Sequence, residues 1–508
     1  MNNTLIVLPV IIQLATAIIL IFFWGKTAIQ KIISIISGVI NVGIAVWLFQ
    51  FVWRDGIQLM HGGGWQAPFG ITFVADVFSS VMVLLTAICG IAVIQYATGS
   101  IRNKLAKFGF YPILHFLIMG LNGAFLTGDI FNLYVWFEVV IISSFVLITL
   151  GGEKIQIEGA VKYVTMNLLA SIIFLTAVAL LYGLTGSLNM ADLSQKVALV
   201  ENRTLVNVTA ALFFIGFGIK SAIFPLYFWL PASYHAPPPA VSAIFAGLLT
   251  KVGIYAILRM FTLVFIPDDF MRELIGWIAI FTIVTGALGA ITQNNLREIF
   301  SYLIICHIGF MIAGLGFYTE IAFVGVIFYL IHDIIVKTNL YLVAGLIYKI
   351  KGTFNIKRLG GFYKTYPKLS LLMAVPLFSL VGVPPLSGFW AKIFLIEGGF
   401  ANGNYISVLT IILGSLITLV IIAKIWTEVF WKEGVELPKR EYIKYFHELR
   451  PRKQYAVIVP IVLLSAVSLF IGFGAEYVIK VSQHIAGNLT DTSYYIEAVL
   501  GSQNPSSP

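Results

Sequence analysis

Apolar residues run along this chain in stretches of about 20, the length a helix needs to cross a hydrocarbon core, with short polar interruptions between them. About fourteen such runs start near Leu5, Ile32, Ile71, Phe108, Ile130, Val161, Leu205, Ala236, Leu274, Ile299, Ile321, Leu369, Ile406 and Tyr455. The pattern predicts an all-α polytopic membrane protein of about fourteen transmembrane helices, one membrane domain over residues 1–508. The first run lacks a basic leader and is followed directly by the next, so it is expected to be retained and not cleaved as a signal.

Composition agrees: 59% of the 508 residues are hydrophobic, 11% are charged, and the mean hydropathy is +0.94. These values exclude a soluble globular protein. The two cysteines, Cys89 and Cys306, are far apart in apolar runs, which excludes a disulfide framework, an iron–sulfur cluster or a thiolate metal site built by this chain alone. No cofactor and no bound metal are expected, and no enzyme chemistry.

The formal net charge of +9 is a topology signal. Of the 32 basic residues, twenty fall in the loops after odd-numbered runs, among them Arg102, Lys104, Lys357, Arg358, Lys439 and Arg440. Only Arg54, Lys196, Arg203, Arg272 and Lys480 fall on the other side. The positive-inside rule then places the odd-numbered loops in the cytoplasm and both termini outside. No basic stripe with interleaved aromatics suggests nucleic acid.

The remaining basic residues lie inside or at the edges of runs: Lys162, Lys220, Lys251, Arg259, Lys337, Lys392 and Lys424. A charge at mid-bilayer costs about 2.5–3.5 kcal/mol even on insertion scales, so each needs a reason. Lys162 and Arg259 lie near run ends and are expected to snorkel to the interface. Lys220, Lys251 and Lys392 follow apolar stretches too long for that, and they point to ion transport. In "FFIGFGIKSAIFPLYFWLP", Phe213 to Pro231, Lys220 precedes Pro225; Lys392 follows Pro384-Pro385. Proline removes a backbone donor and opens the helix, so the seventh and twelfth helices are expected to be broken.

Lys220 and Lys251 are spaced like Lys392 and Lys424, with an offset of about 172 residues. That offset spans five helices, so the copies would be inverted five-helix repeats, over 108–264 and 274–432, as in many secondary transporters. Residues 1–107 would hold helices 1–3, 455–480 helix 14, and 481–508 a short external tail.

Glu138, in "IFNLYVWFEVVIISSFVLITL", is the carboxylate with long apolar flanks and is the expected partner of Lys220. Burial favours the neutral form of each alone, whereas pairing favours both charges, so a pair of variable separation is a proton switch. "YLIHDIIVKTNLYLVAG" supplies His332, Asp333 and Lys337. Asp333 and Lys337 are four apart, acid first, which also fits a plain intrahelical ion pair, as do Lys424 and Glu428. His332 could relay protons or serve as a packing residue. His307 falls where the repeat places a counterpart of Glu138.

"GIKSAIFPLYFWLPASYHAPPPAVSAIFAGLLTKVGIY" and "VGVPPLSGFWAKIFL" resemble the signatures of the antiporter-like subunits shared by respiratory complex I, membrane-bound hydrogenases and Mrp-type multisubunit Na+/H+ antiporters. The likeness covers roughly Phe110 to Trp431 and is closest to the Mrp-type members. It implies a coupling pair of Glu138 and Lys220, a central relay at Lys251 and a terminal proton site at Lys392, with His332 and Lys337 near the junction. Phe228 departs from respiratory members with a histidine before "WLP", and Lys392 from those with glutamate. The implied function is a proton-translocating subunit of a cation (Na+)/H+ antiporter, partnered by further membrane subunits. The alternative is a proton-pumping subunit of complex I or a hydrogenase, although no long lateral helix follows the fourteenth run. A stand-alone solute carrier would need a substrate pocket that the pattern lacks, and a structural scaffold would not need the doubled lysines.

Overall fold

Inside lipid a backbone has to satisfy its own hydrogen bonds, and each apolar run does so as a helix. The computed structural model describes residues 3–434 and 446–501. Among these, twelve helices are long and apolar enough to cross a membrane: α1 (Thr4–Phe22), α2 (Thr27–Asp55), α3 (Val77–Ser100), α5 (Ile130–Thr149), α6 (Lys154–Thr185), α7a (Arg203–Ser221), α8 (Pro239–Leu263), α9 (Asp269–Thr292), α10 (Leu296–Phe317), α11 (Glu320–Lys351), α13 (Tyr405–Trp431) and α14 (Pro451–Phe473). Two shorter apolar helices, α4 (Phe110–Leu126) and α12a (Pro367–Val381), fall on the fourth and twelfth runs. Lys439, Arg440 and Lys444 lie outside the described residues.

The seventh and twelfth helices are interrupted where the prolines stand. α7a ends at Ala222, in left-handed conformation (φ 60°), and the chain resumes as α7b (Trp229–Tyr234). α12a ends at Gly382, also left-handed (φ 86°), and resumes as α12b (Ser387–Ala401). Each break follows from a helix-terminating left-handed residue plus a proline that cannot donate. α8 carries a third irregularity, a π-helical turn at Phe245–Leu249. Such turns widen the helix and loosen its hydrogen-bond ladder.

α8 and α11 form the interior. Every residue of the most apolar stretch of α8 is buried, and α10 and α11 are nearly as enclosed, whereas α1, α2 and α13 bury less than half of theirs. α11 packs against α12b, α14, α10 and the π-turn of α8. It therefore touches both halves of the molecule.

Of three isolated antiparallel bridges among the described residues, two, Asp129 with Asn189 and Asn295 with Asn355, are related by the same shift of 166 residues in both members. In the first, the Ile130 amide donates to Leu188 O and the Met190 amide to Gly128 O; in the second, Leu296 donates to Phe354 O and Ile356 to Asn294 O. Asp129 and Asn295 also cap the helices that follow, α5 and α10.

Two features depart from the expected helices. β1 (Gln58–His61) and β2 (Thr72–Ala75) pair antiparallel, so the third helix starts at Val77, capped by Asp76, and not near Ile71. The helix expected over 455–480 divides at Gly474: α14 stops at Phe473 and α15 (Ala475–Thr490) begins, followed by α16 (Ser493–Leu500). α15 buries Ala475, Val478, Ser482, Ile485 and Leu489 along one face, largely against α11, and α16 packs on the short helix Met190–Leu199.

Candidate functional site

Lys220 occupies the last turn of α7a, where the backbone carbonyls lose their helical partners and a cation is favoured. Its Nζ donates to Ser171 Oγ at 3.2 Å and lies 5.0 Å above the centre of the Phe137 ring. It lines a cavity of about 20 Å³ with Tyr163, Asn167, Trp229, Leu249 and Val252, enough for about one water molecule. Glu138 is half-buried on α5 and makes no ion pair with Lys220 within 4 Å; its Oε1 has no hydrogen-bond partner among the described residues. The neighbouring residue explains the gap. Adjacent side chains on a helix point about 100° apart, so with the Phe137 ring under the ammonium, Glu138 is turned aside.

The central cluster is tighter. Lys251 Nζ lies 2.7 Å from Asp333 Oδ2 and donates at 2.8 Å to the Ala246 carbonyl within the π-turn. His307 Nδ1 is 3.5 Å from the other Asp333 oxygen, and all three side chains are fully buried. The intrahelical pair of Asp333 with Lys337 does not form: Asp333 turns to Lys251 on α8, and Lys337 Nζ has no hydrogen-bond partner among the described residues. The carboxylate has exchanged a local partner for one brought by tertiary packing. His307 is thus placed at the central acid, with Nε2 3.4 Å from Thr418 Oγ1.

Lys392 uses the twelfth-helix break. Its Nζ donates to Val381 O at 2.6 Å and to Leu380 O at 3.4 Å, carbonyls in the last turn of α12a that the break leaves without helical donors. The Phe310 ring centre is 5.7 Å away. His332, on α11, reaches the same break, with Nδ1 2.7 Å from Ser387 Oγ at the start of α12b. Gly388 permits this approach, since a Cβ there would strike Ser379 O and lie 3.1 Å from the His332 ring.

Other charges resolve into plainer roles. Lys162 is exposed and pairs with Glu158 at 2.7 Å, as expected of a residue near a helix end. Arg259 does not snorkel. It is buried, paired with Asp76 at 2.6 Å, and surrounded by the Phe78, Tyr255 and Tyr495 rings. Asp76 and Arg259 are 183 residues apart, and sequence reasoning missed the pair. One signal was available, because "FVADVF" places an acid at a helix start, the usual place of a cap. Lys424 donates to the carbonyls of Ile291 (3.1 Å) and Gln293 (3.2 Å), while Glu428 pairs with Lys432 at 2.9 Å, so the expected Lys424–Glu428 pair is absent.

Buried lysines at two helix breaks and a π-turn, around a helix that spans both halves, can hand protons along without any bound group. Comparison with known proteins gives the family. Residues 127–418 match the family described as NADH:quinone oxidoreductase/Mrp antiporter, TM. The chain is 43% identical to the D subunit of the Na(+)/H(+) antiporter of Alkalihalophilus pseudofirmus, over 98% of this chain and 99% of that protein. It is 41% identical to the protein of the same name from Bacillus subtilis, again over 98% and 99%. The solved structure of the Mrp complex from Dietzia sp. DQ12-45-1b contains a chain that superimposes with a TM-score of 0.90 at 30% identity, covering 98% of this chain and 99% of that one.

Proposed function

The chain belongs to the NADH:quinone oxidoreductase/Mrp antiporter transmembrane family, and on that premise we propose that it is the proton-translocating D-type subunit of a multisubunit cation (Na+)/H+ antiporter. The observation that carries this reading is the row of buried lysines, Lys220, Lys251, Lys337 and Lys392, of which Lys220, Lys251 and Lys392 sit at helix irregularities and, among the described residues, Lys251 alone forms an ion pair. In this reading Glu138 and Lys220 are the coupling pair. They form no ion pair in the described state and close when the proton moves. Lys251, bound to Asp333, is the central relay; His332 and Lys337 lie near the junction; Lys392 is the terminal site.

The two halves, 108–264 and 274–432, act as inverted repeats. The equal 166-residue shift of the two backbone bridges and the paired breaks of α7 and α12 support this. Ion exchange is completed by partner membrane subunits in the cell membrane, with both termini external. The names of the most similar relatives favour the antiporter over the redox-driven alternative.

The test is Lys220→Ala and, separately, Glu138→Gln with Lys220→Met, in the assembled complex in everted membrane vesicles. An assembled complex that no longer exchanges cations for protons supports the switch. Near-normal exchange by the double variant makes the pair structural and ends this reading of it.

A further inference from the structure

α14 lies outside both proposed repeats, yet it presents a polar face to the broken twelfth helix. Ser465, Ser468 and Gly472 recur at helical spacing on that face. Gly472 lets α14 approach the break so closely that a Cβ there would stand 2.7 Å from Pro385 O, and its own carbonyl accepts from Trp390 Nε1 at 3.0 Å. At the centre of the contact, four side chains form one hydrogen-bonded chain. His332 Nδ1 is 2.7 Å from Ser387 Oγ, Ser387 Oγ is 3.3 Å from Ser468 Oγ, and Ser468 Oγ donates at 3.1 Å to Ser379 Oγ. All four are essentially buried.

A serine buried in a membrane helix ordinarily bonds back to its own helix, as Ser144 does to Val140 O. These three instead bond to one another across α12a, α12b and α14, over the gap that the break creates. The chain ends at Ser379, directly before the two carbonyls, Leu380 and Val381, that hold Lys392.

We propose that Ser387, Ser468 and Ser379 are proton-relay residues that connect His332 to Lys392 across the twelfth-helix break, which makes α14 part of the proton path. The proposal rests on the lysine path above. Its hydrogen bonds fix the order of transfer. With Ser468 donating to Ser379, Ser468 accepts from Ser387, and Ser387 accepts from Nδ1–H of His332. A proton that arrives on Nε2 makes the imidazolium. Nδ1 then gives its proton to Ser387, which gives its own to Ser468, which gives its own to Ser379. Ser379 releases its proton, through water, to the neutral amine of Lys392. Each hydroxyl gains one proton and loses one, and His332 returns to neutral with its proton on Nε2. Rotation of the hydroxyls and return of the proton to Nδ1 reset the path.

The experiment compares Ser468→Ala, Ser468→Thr, Ser387→Ala and Ser465→Ala in the whole complex in everted vesicles, reading cation-driven proton exchange per assembled complex together with its melting temperature. Ser465 is the control: it accepts from Asn339 on the same face of α14 at 2.9 Å but lies outside the chain. We expect Ser468→Ala and Ser387→Ala to lose about tenfold or more of the rate at unchanged melting temperature. Ser468→Thr, which keeps a hydroxyl, should recover most of it, and Ser465→Ala should stay within about twofold of the unaltered complex. Exchange within that twofold range by both Ser468→Ala and Ser387→Ala overturns the proposal, and so does a loss that follows the melting temperature and is not restored by threonine. If Ser468→Ala does not assemble, Ser379→Ala at the far end of the chain is read by the same criteria. A Lys392→Ala complex run in parallel separates the two ideas. Full exchange there removes the lysine path itself, whereas its loss alongside fully active serine variants removes only the relay.

Discussion

Asp333 shows how a buried charge is decided by tertiary neighbours. It lies one helical turn from Lys337, an arrangement that stabilises an isolated helix by only about 0.2–0.5 kcal/mol. It binds Lys251 on another helix instead, at 2.7 Å and out of water. Removing one member of such a pair costs about 3–5 kcal/mol because the other is stranded. Asp333→Ala should therefore lower both the yield of assembled complex and its melting temperature. Lys251→Met combined with Asp333→Leu should regain most of that stability and still fail to exchange, measured by thermal melting and by vesicle assays side by side. The candidate lysines were legible in the sequence because a cation in an apolar run is conspicuous. Their partners were not. The choice of Asp333 for Lys251, the pairing of Arg259 with Asp76 and the turn of Glu138 away from Lys220 all depend on which helix faces meet.

At the scale of the element, the two breaks are built from different residues on the same plan. Ala222 adopts φ 60° with a Cβ, and Gly382 adopts φ 86° without one. Left-handed backbone costs an ordinary residue about 1–2 kcal/mol, and glycine almost nothing. Ala222→Gly should then raise the melting temperature of the complex or leave it unchanged. Gly382→Ala should lower it, and should also slow exchange, because the added Cβ would come within 3.2 Å of both Gly388 O and the Lys392 side chain. The breaks were readable from Pro225 and Pro384-Pro385. The π-turn beneath Lys251 was not, since "IFAGLLTK" reads as ordinary helix and the turn depends on packing against α11. The β1–β2 hairpin was missed for a related reason: its strands are four residues each, too short to show a period of two.

For the whole molecule, the all-helical membrane class, the broken helices and the charge asymmetry could be read from the chain, because lipid penalises every exception to apolar helix. The charge asymmetry makes a direct prediction about orientation. Cys89 and Cys306 are buried, so an introduced cysteine should report alone. An impermeant thiol reagent added to intact cells should label Asp269→Cys, after an even-numbered helix, and spare Lys104→Cys, after an odd-numbered one; both positions are exposed. The opposite labelling would reverse the orientation. Less readable was the way the ends close on the middle, with Tyr495 of α16 over Arg259 of α8 and α15 along α11. These contacts join residues hundreds of positions apart through side chains that carry no local signature.

In the proposed path, the single carboxylate at Asp333 also sets a limit on traffic. Lys251 and His307 touch it directly, while Lys337 and Lys392 are buried with no carboxylate in contact among the described residues, so proton acceptors outnumber the negative charge available to balance them. Low-dielectric surroundings make a surplus of like charge costly, which disfavours a fully loaded row. A second proton can enter comfortably only as an earlier one departs. In the proposed path the row would therefore behave as a queue with one place to stand, in which arrival at one end and departure at the other are tied by charge balance.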